Sequence, residues 1–367
     1  MKGQLTPAAS AHLDMLRGCA AFAVLVSHWR YFTFLEWPQL EKKPAWLAPL
    51  YFVTGFGHQA VVVFFVLSGY LVGGVVIKST RNQTWSWKRY GFDRITRLGI
   101  VLIPALLLCL LWDEISIHVF RAGWLQNGIA NHSLTTFLGN CAFLQTIVVP
   151  SFGTNFPLWS LANEFWYYVM FPLLVMLWVE KRIGRRVVYL LLLVGVAYLT
   201  RQLILAQFAI WLMGTAIFYF PPKHRIGRSV TAIAVFLAFL AVLGDLILQR
   251  AGRIPIGVSD FILGIFFSIA LYFLVHGTTT AGERYQKLAG FFAGSSYTLY
   301  LVHYPLLVLT LAMIGTQWQP DPRHLLMGIG ILAVTYLYAL GVAALFERRT
   351  NRIKQWLRPR LGLSPTS

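Results

Sequence analysis

The sequence predicts an all-α integral membrane protein with about ten transmembrane helices, one short re-entrant or interfacial segment and both termini cytoplasmic. Three observations carry this. Of 367 residues, 57% are hydrophobic and only 12% charged, against roughly 25% charged in soluble domains. Apolar runs recur from residue 16 to residue 346 with no long polar interval. Basic residues gather in alternate loops, as cytoplasmic loops do.

A span needs about 20 mainly apolar residues. Eleven candidates occur, at approximately 16–34, 58–77, 98–117, 134–149, 158–179, 186–200, 203–220, 229–249, 258–276, 291–315 and 325–346. The first holds Arg17 and His28 and lacks a clear cleavage site, so it is expected to remain as a membrane helix rather than act as a secretory signal. The fourth is short, carries Asn140 and Gln145 and ends at Pro150. If it does not cross, the cytoplasmic side holds 21 Lys and Arg and the outer side eight. If it does cross, every later loop changes sides and the bias largely collapses. Ten spans are therefore preferred, giving a single transmembrane domain over 1–346 and a basic cytoplasmic tail over 347–367, expected to lie against the inner leaflet.

The formal charge of +18 does not indicate a nucleic-acid partner, because the cations lie between apolar runs and not on one soluble face. Anionic lipid headgroups and an anionic substrate are the expected partners. Cys19, Cys109 and Cys141 are scattered without paired spacing, so neither a disulfide framework nor a metal site is expected. No repeat of fixed period is visible, and nothing signals an oligomeric state.

Ionisable groups inside spans are costly and mark function or pairing. Arg17 precedes His28 by eleven residues, about 16 Å along a helix. That places Arg17 at the cytoplasmic end and His28 beyond the midplane. An imidazole there serves as general base, nucleophile or hydrogen-bond partner to another helix. Asp14, three residues before Arg17, offers it a local ion pair. Ser68-Gly69 in FFVLSGY suits close approach of a helix or a ligand. Arg94 and Arg97, at a helix start in WKRYGFDRITRLG, suit phosphate, although positive-inside charge explains them as well. Glu164 in PLWSLANEFW is a carboxylate among interfacial aromatics. His303 in SSYTLYLVHYP lies within a late span, where a neighbouring helix would satisfy it.

Taken in order, these segments resemble the acyltransferase-3 family of integral membrane acyltransferases. LDMLRGCAAFAVLVSHW is similar to the family's opening motif of an Arg followed after ten residues by a His; FFVLSGY, RITR and SYTLYLVHYP are similar to three later motifs. The segment around Glu164 departs from the pattern, because Phe165 and Trp166 stand where a second Glu and a Gln often follow. The short segment after the last span leads to the expectation of a stand-alone membrane domain, without the soluble esterase-like domain that some members append. The resemblance implies transfer of an acyl group, commonly acetyl, from cytoplasmic acyl-CoA to a hydroxyl of a carbohydrate or lipid-linked glycan, in a cell membrane and by expectation a bacterial inner membrane. Acyl-CoA is then a substrate, with no permanently bound cofactor. It further implies His28 and Glu164 as catalytic groups, and Arg17, Ser68, Gly69, Arg94, Arg97 and His303 as substrate contacts. Whether His28 takes a proton or carries the acyl group stays open. A transporter or flippase is the alternative class, since such paths also hold intramembrane charge.

Overall fold

A computed structural model describes residues 5–126 and 130–363. Among these, fifteen α-helices follow one another: α1 (Pro7–Thr33), α2 (Leu47–Val53), α3 (Gly57–Ser68), α4 (Gly74–Arg81) and α5 (Trp87–His118). Then come α6 (Gly123–Gln126), α7 (Leu134–Cys141), α8 (Leu158–Val179), α9 (Ile183–Tyr219) and α10 (Arg228–Arg250). The series ends with α11 (Ile256–His276), α12 (Glu283–Ala293), α13 (Ser296–Ile314), α14 (Pro322–Leu345) and α15 (Thr350–Arg360). Nine helical stretches among the described residues are long and apolar enough to cross a membrane, and Ile204–Tyr219 is a shorter apolar stretch. The protein is thus an all-α membrane protein, as its composition requires.

Two expected spans, 186–200 and 203–220, are carried by one continuous helix, α9, of 37 residues. Thr200, Arg201 and Gln202 interrupt the hydropathy there, but none is a poor enough helix former to break the backbone. The resulting length, about 56 Å, is nearly twice the ~30 Å hydrocarbon core. The fourth candidate behaves differently. Its only helix, α7, has eight residues, about 12 Å, and cannot cross. Ser133 caps its start by accepting from Thr136 N at 3.2 Å. Positive φ at Phe143 and Thr146 turns the chain after it. The polar groups that interrupt the apolar run hold this turn. Asn140 donates to Pro150 O at 2.9 Å and accepts from Phe152 N at 3.1 Å, while Gln145 donates to Leu158 O at 2.9 Å.

The chain divides into two compact units. Unit 1 comprises 1–20, 59–85 and 163–293. Within it, one π-helical turn, Gly69–Gly73, joins α3 to α4 and packs on α9. The approach is backbone to backbone: a Cβ on Gly69 would stand 1.9 Å from Trp211 O, and one on Gly214 1.9 Å from Val66 O. Close helix packing is the use made of Gly69, and Thr215 Oγ1 closes it with a 3.0 Å bond to Gly69 O.

Unit 2 comprises 21–58, 86–162 and 294–367. Here α13 packs against α5 and α14. Gly315, at φ +78°, ends α13, and Asp321 with Pro322 starts α14 through a 2.9 Å bond from His324 N. The basic tail is partly spent inside the protein: Lys354 and Arg358 of α15 pair with Asp93 of α5 at 3.6 and 2.9 Å.

Because the Gly69–Gly214 approach leaves no room for a side chain, Gly69→Val is expected to cost about 1–3 kcal/mol or more through forced separation. Thermal unfolding of the detergent-purified variant checks this, and an unchanged melting temperature would show that the helices part freely.

Candidate active site

The two histidines that the sequence singles out meet in unit 2. His28 lies five residues before the end of α1 and His303 lies mid-way along α13. His28 Nδ1 is 2.8 Å from His303 Nε2. His303 is fully buried, and its Nδ1 is 2.8 Å from Leu299 O. A carbonyl only accepts, so His303 Nδ1 carries a hydrogen. With both rings neutral, His303 Nε2 must then accept, and the hydrogen between the rings belongs to His28 Nδ1. This leaves the lone pair of His28 on Nε2, which has no hydrogen-bond partner among the described residues. His303 therefore sets the tautomer of His28 in the way an orienting group sets a catalytic base.

Two neighbouring features hold this pair in place. Pro305 has no N–H, so the carbonyl four residues earlier, Leu301 O, loses its helical partner. Asn155 Nδ2 supplies the missing donor at 2.8 Å. At the start of α13, the buried carboxylate of Glu347 accepts from Thr298 N at 2.9 Å and Thr298 Oγ1 at 2.7 Å. Arg97 balances that carboxylate at 3.1 Å and lies over Tyr297. The geometry thus gives Arg97 the task of supporting the helix that carries His303.

The Tyr304 ring is perpendicular to His28, with centroids 4.9 Å apart. It also forms part of the wall of a cavity of about 590 Å³. Tyr31, Phe32, Trp124 and Phe156 contribute further rings, with Gln317, Thr154 and Thr316 as polar groups. An aromatic wall with a few polar groups is the usual make-up of a small-molecule site.

The segment that supplies Phe156 and Asn155 is fixed by Asp113. This fully buried carboxylate accepts from Thr154 N at 2.9 Å, Thr154 Oγ1 at 2.6 Å and His132 Nε2 at 2.9 Å. Glu114 Oε1 faces the other ring nitrogen of His132 at 3.2 Å. Gly153 turns the chain at φ +56°, and a Cβ there would stand 2.3 Å from Asp113 Oδ2, so only glycine serves. Sequence reasoning passed over Asp113 and His132. The signal available was an ionisable pair, Asp113-Glu114, at the end of an apolar span.

Unit 1 holds other residues singled out by sequence. Tyr168 Oη donates to Glu164 Oε1 at 2.5 Å and lies 3.2 Å from Ser68 Oγ, which also accepts from Trp211 Nε1 at 3.1 Å. Glu164 and Ser68 are therefore linked through Tyr168, one turn after Glu164 on α8. Arg17 takes its expected neighbour, Asp14, at 3.1 Å. In unit 2, Arg94 lies with its guanidinium 5.8 Å from the centre of the Tyr90 ring. Among the described residues no group of three or more His, Cys, Asp or Glu could hold a metal.

The family model described as an acyltransferase domain matches residues 10–348. The chain belongs to this acyltransferase-3 family and is an integral membrane acyltransferase. No curated protein and no solved structure matches it.

His132 provides a pH test. Its hydrogen bond to Asp113, together with the charge of Asp113 and Glu114, raises its pKa above the usual 6.5 despite partial burial. A raised folded value means that the stabilisation is fully present below pH 6.5 and is lost as pH rises through the higher folded value. Amide hydrogen exchange over 152–156, corrected for intrinsic rates, is expected to show less protection at pH 8.5 than at pH 5.5. His132→Asn should abolish the difference, and a pH effect that persists in the variant would locate the titrating group elsewhere.

Proposed function

We propose that this member of the acyltransferase-3 family transfers a short acyl group, acetyl, from cytoplasmic acyl-CoA to a hydroxyl of a carbohydrate or lipid-linked glycan, with His28 as general base. The observation that carries this reading is the His28–His303 hydrogen bond, which leaves the lone pair of His28 on Nε2. In the proposed step His28 Nε2 takes the acceptor's hydroxyl proton as the oxygen attacks the thioester carbonyl. An oxygen–carbon bond forms, the carbon–sulfur bond breaks, and the leaving thiolate receives a proton from His28. While His28 is protonated, His303 Nε2 accepts from its Nδ1–H, so the developing charge has a fixed partner.

The cavity against Tyr304 supports a carbohydrate acceptor. Flat rings of Trp124, Tyr31 and Tyr304 offer apolar faces with polar tips, which match the mixed surface of a sugar. Arg17 and Arg94 are proposed contacts to the donor's phosphates, with Arg97 acting through Glu347. Ser68 and Glu164, linked by Tyr168, are proposed substrate contacts. The six basic residues of 78–97 and the four of 181–186, in segments that precede or open α9, support a cytoplasmic donor side, and a bacterial inner membrane is the proposed location.

Purified protein given labelled acetyl-CoA and a membrane glycan extract is expected to release coenzyme A and label a hydroxylated product. His28→Ala should lower turnover by about 10²–10⁴-fold; full activity would remove His28 from the chemistry. His303→Phe, which keeps an aromatic ring but removes the acceptor, should lower kcat while leaving donor KM nearly unchanged. Arg94→Ala should do the reverse, raising donor KM more than it lowers kcat. Equal kinetics in wild type and Arg94→Ala would discard the phosphate contact.

A further inference from the structure

Unit 1 contains a second cavity, of about 620 Å³, within the range of small-molecule sites. It is built where α4 ends, where the chain turns between α9 and α10, and where α11 ends. Four cations line it: Lys78 and Arg81 from the last turn of α4, and Lys223 and Arg225 from the loop between α9 and α10. Among the described residues no carboxylate lines the cavity. Among the described residues none of the four is in an ion pair. Cations that serve only to orient a membrane protein can spread over loops and face headgroups. Here two exposed pairs from separate elements converge on one concavity, with the Arg81 guanidinium 4.9 Å from the centre of the Tyr219 ring, and a polyanion is the ligand that meets both pairs at once.

The rest of the lining is suited to a ligand that is more than an inorganic ion. Tyr70 and Phe218 form an aromatic part of the wall, with ring centroids 6.0 Å apart. Tyr70 belongs to the π-helical turn Gly69–Gly73, a kind of irregularity that is frequent at functional sites. Thr279 Oγ1 is buried and has no hydrogen-bond partner among the described residues. An orphaned hydroxyl in a lining wall is satisfied when a ligand supplies the partner.

We propose that this cavity binds a soluble nucleoside polyphosphate group, with its phosphates between the two cation pairs and its ring system against the aromatic wall. The chemistry is shared by free nucleoside diphosphates and by the nucleotide end of coenzyme A. A headgroup with one phosphodiester, such as that of phosphatidylglycerol, does not call for two cation pairs. The assignment rests on the cavity alone and is independent of the chemistry at His28.

The test is calorimetric titration of the full-length protein in nanodiscs of neutral phosphatidylcholine. ADP, 3′,5′-ADP and coenzyme A are the ligands, with adenosine and pantetheine as controls lacking the nucleotide phosphates. At least one phosphate-bearing ligand is expected to bind with one-to-one stoichiometry, and both controls more weakly by about tenfold or more, since charge-assisted bonds dominate. The double variants Lys78→Gln/Arg81→Gln and Lys223→Gln/Arg225→Gln should each weaken that ligand by about tenfold or more, with an unchanged melting temperature. Competition between ADP and coenzyme A would identify the donor's nucleotide end as one occupant, and ADP binding that coenzyme A does not displace would identify a separate nucleotide ligand. The proposal is overturned if no phosphate-bearing ligand binds, if binding survives both double variants, or if phosphatidylglycerol in the nanodisc displaces the ligand completely. A wild-type protein that binds nucleotide but transfers no acyl group would sink the acyl-donor reading and leave this site standing.

Discussion

In a lipid-embedded helix bundle a freed backbone group has no water to turn to, and this governs the arrangement around His303. Pro305 removes the donor for Leu301 O, and an unsatisfied carbonyl in hydrocarbon costs several kcal/mol. Asn155 meets the need at 2.8 Å, which ties the 150–157 segment to α13 two residues before His303. The segment can hold that position only because Asp113 binds Thr154 twice and because Asn140 and Gln145 staple the turn before it. A proline in one helix thus accounts for a network of buried polar groups in unit 2, which also brings Phe156 to the cavity wall.

The same rule explains how the buried charges survive. Asp113 and Glu347 are both nearly inaccessible, and each is met by hydrogen-bond donors and a basic group. Asp113 has Thr154 and His132; Glu347 has Thr298 and Arg97. Truncating one member of such a set leaves an uncompensated charge. The basic residues counted as topology signals therefore divide into classes. Arg97, Lys354 and Arg358 answer carboxylates inside unit 2, whereas Lys78, Arg81, Lys223 and Arg225 converge on a cavity in unit 1.

Much of this was legible in the residues. Composition and the apolar runs fixed the all-helical membrane class, and the polar residues in 134–149 signalled a segment that does not cross. His28 and His303 stood out because an imidazole in a span is costly. What sequence could not supply was partnership: 275 residues separate the two rings, and no spacing rule spans that interval. His303 read as a core histidine satisfied by a neighbouring helix, which is correct geometrically but hides that the neighbour is His28. The continuous α9 was missed for another reason. Hydropathy breaks at Thr200–Gln202, yet backbone hydrogen bonding is indifferent to polarity when helix propensity is adequate.

The placement of the lone pair on His28 follows from a chain of forced choices rather than from His28 itself. Leu299 O can only accept, so His303 Nδ1 donates; His303 Nε2 then accepts, so His28 Nδ1 donates. Reversing any one step would put the hydrogen on His28 Nε2 and remove its capacity as a base. Leu299 belongs to the same helical turn as Thr298, whose amide and hydroxyl are held by Glu347. The carboxylate that anchors the start of α13 therefore helps fix the backbone carbonyl on which the tautomer depends. Arg97 is one bond further out along the same path. A charge that looks like a phosphate ligand in the sequence thereby bears on the His28–His303 pair through helix position, without touching either histidine.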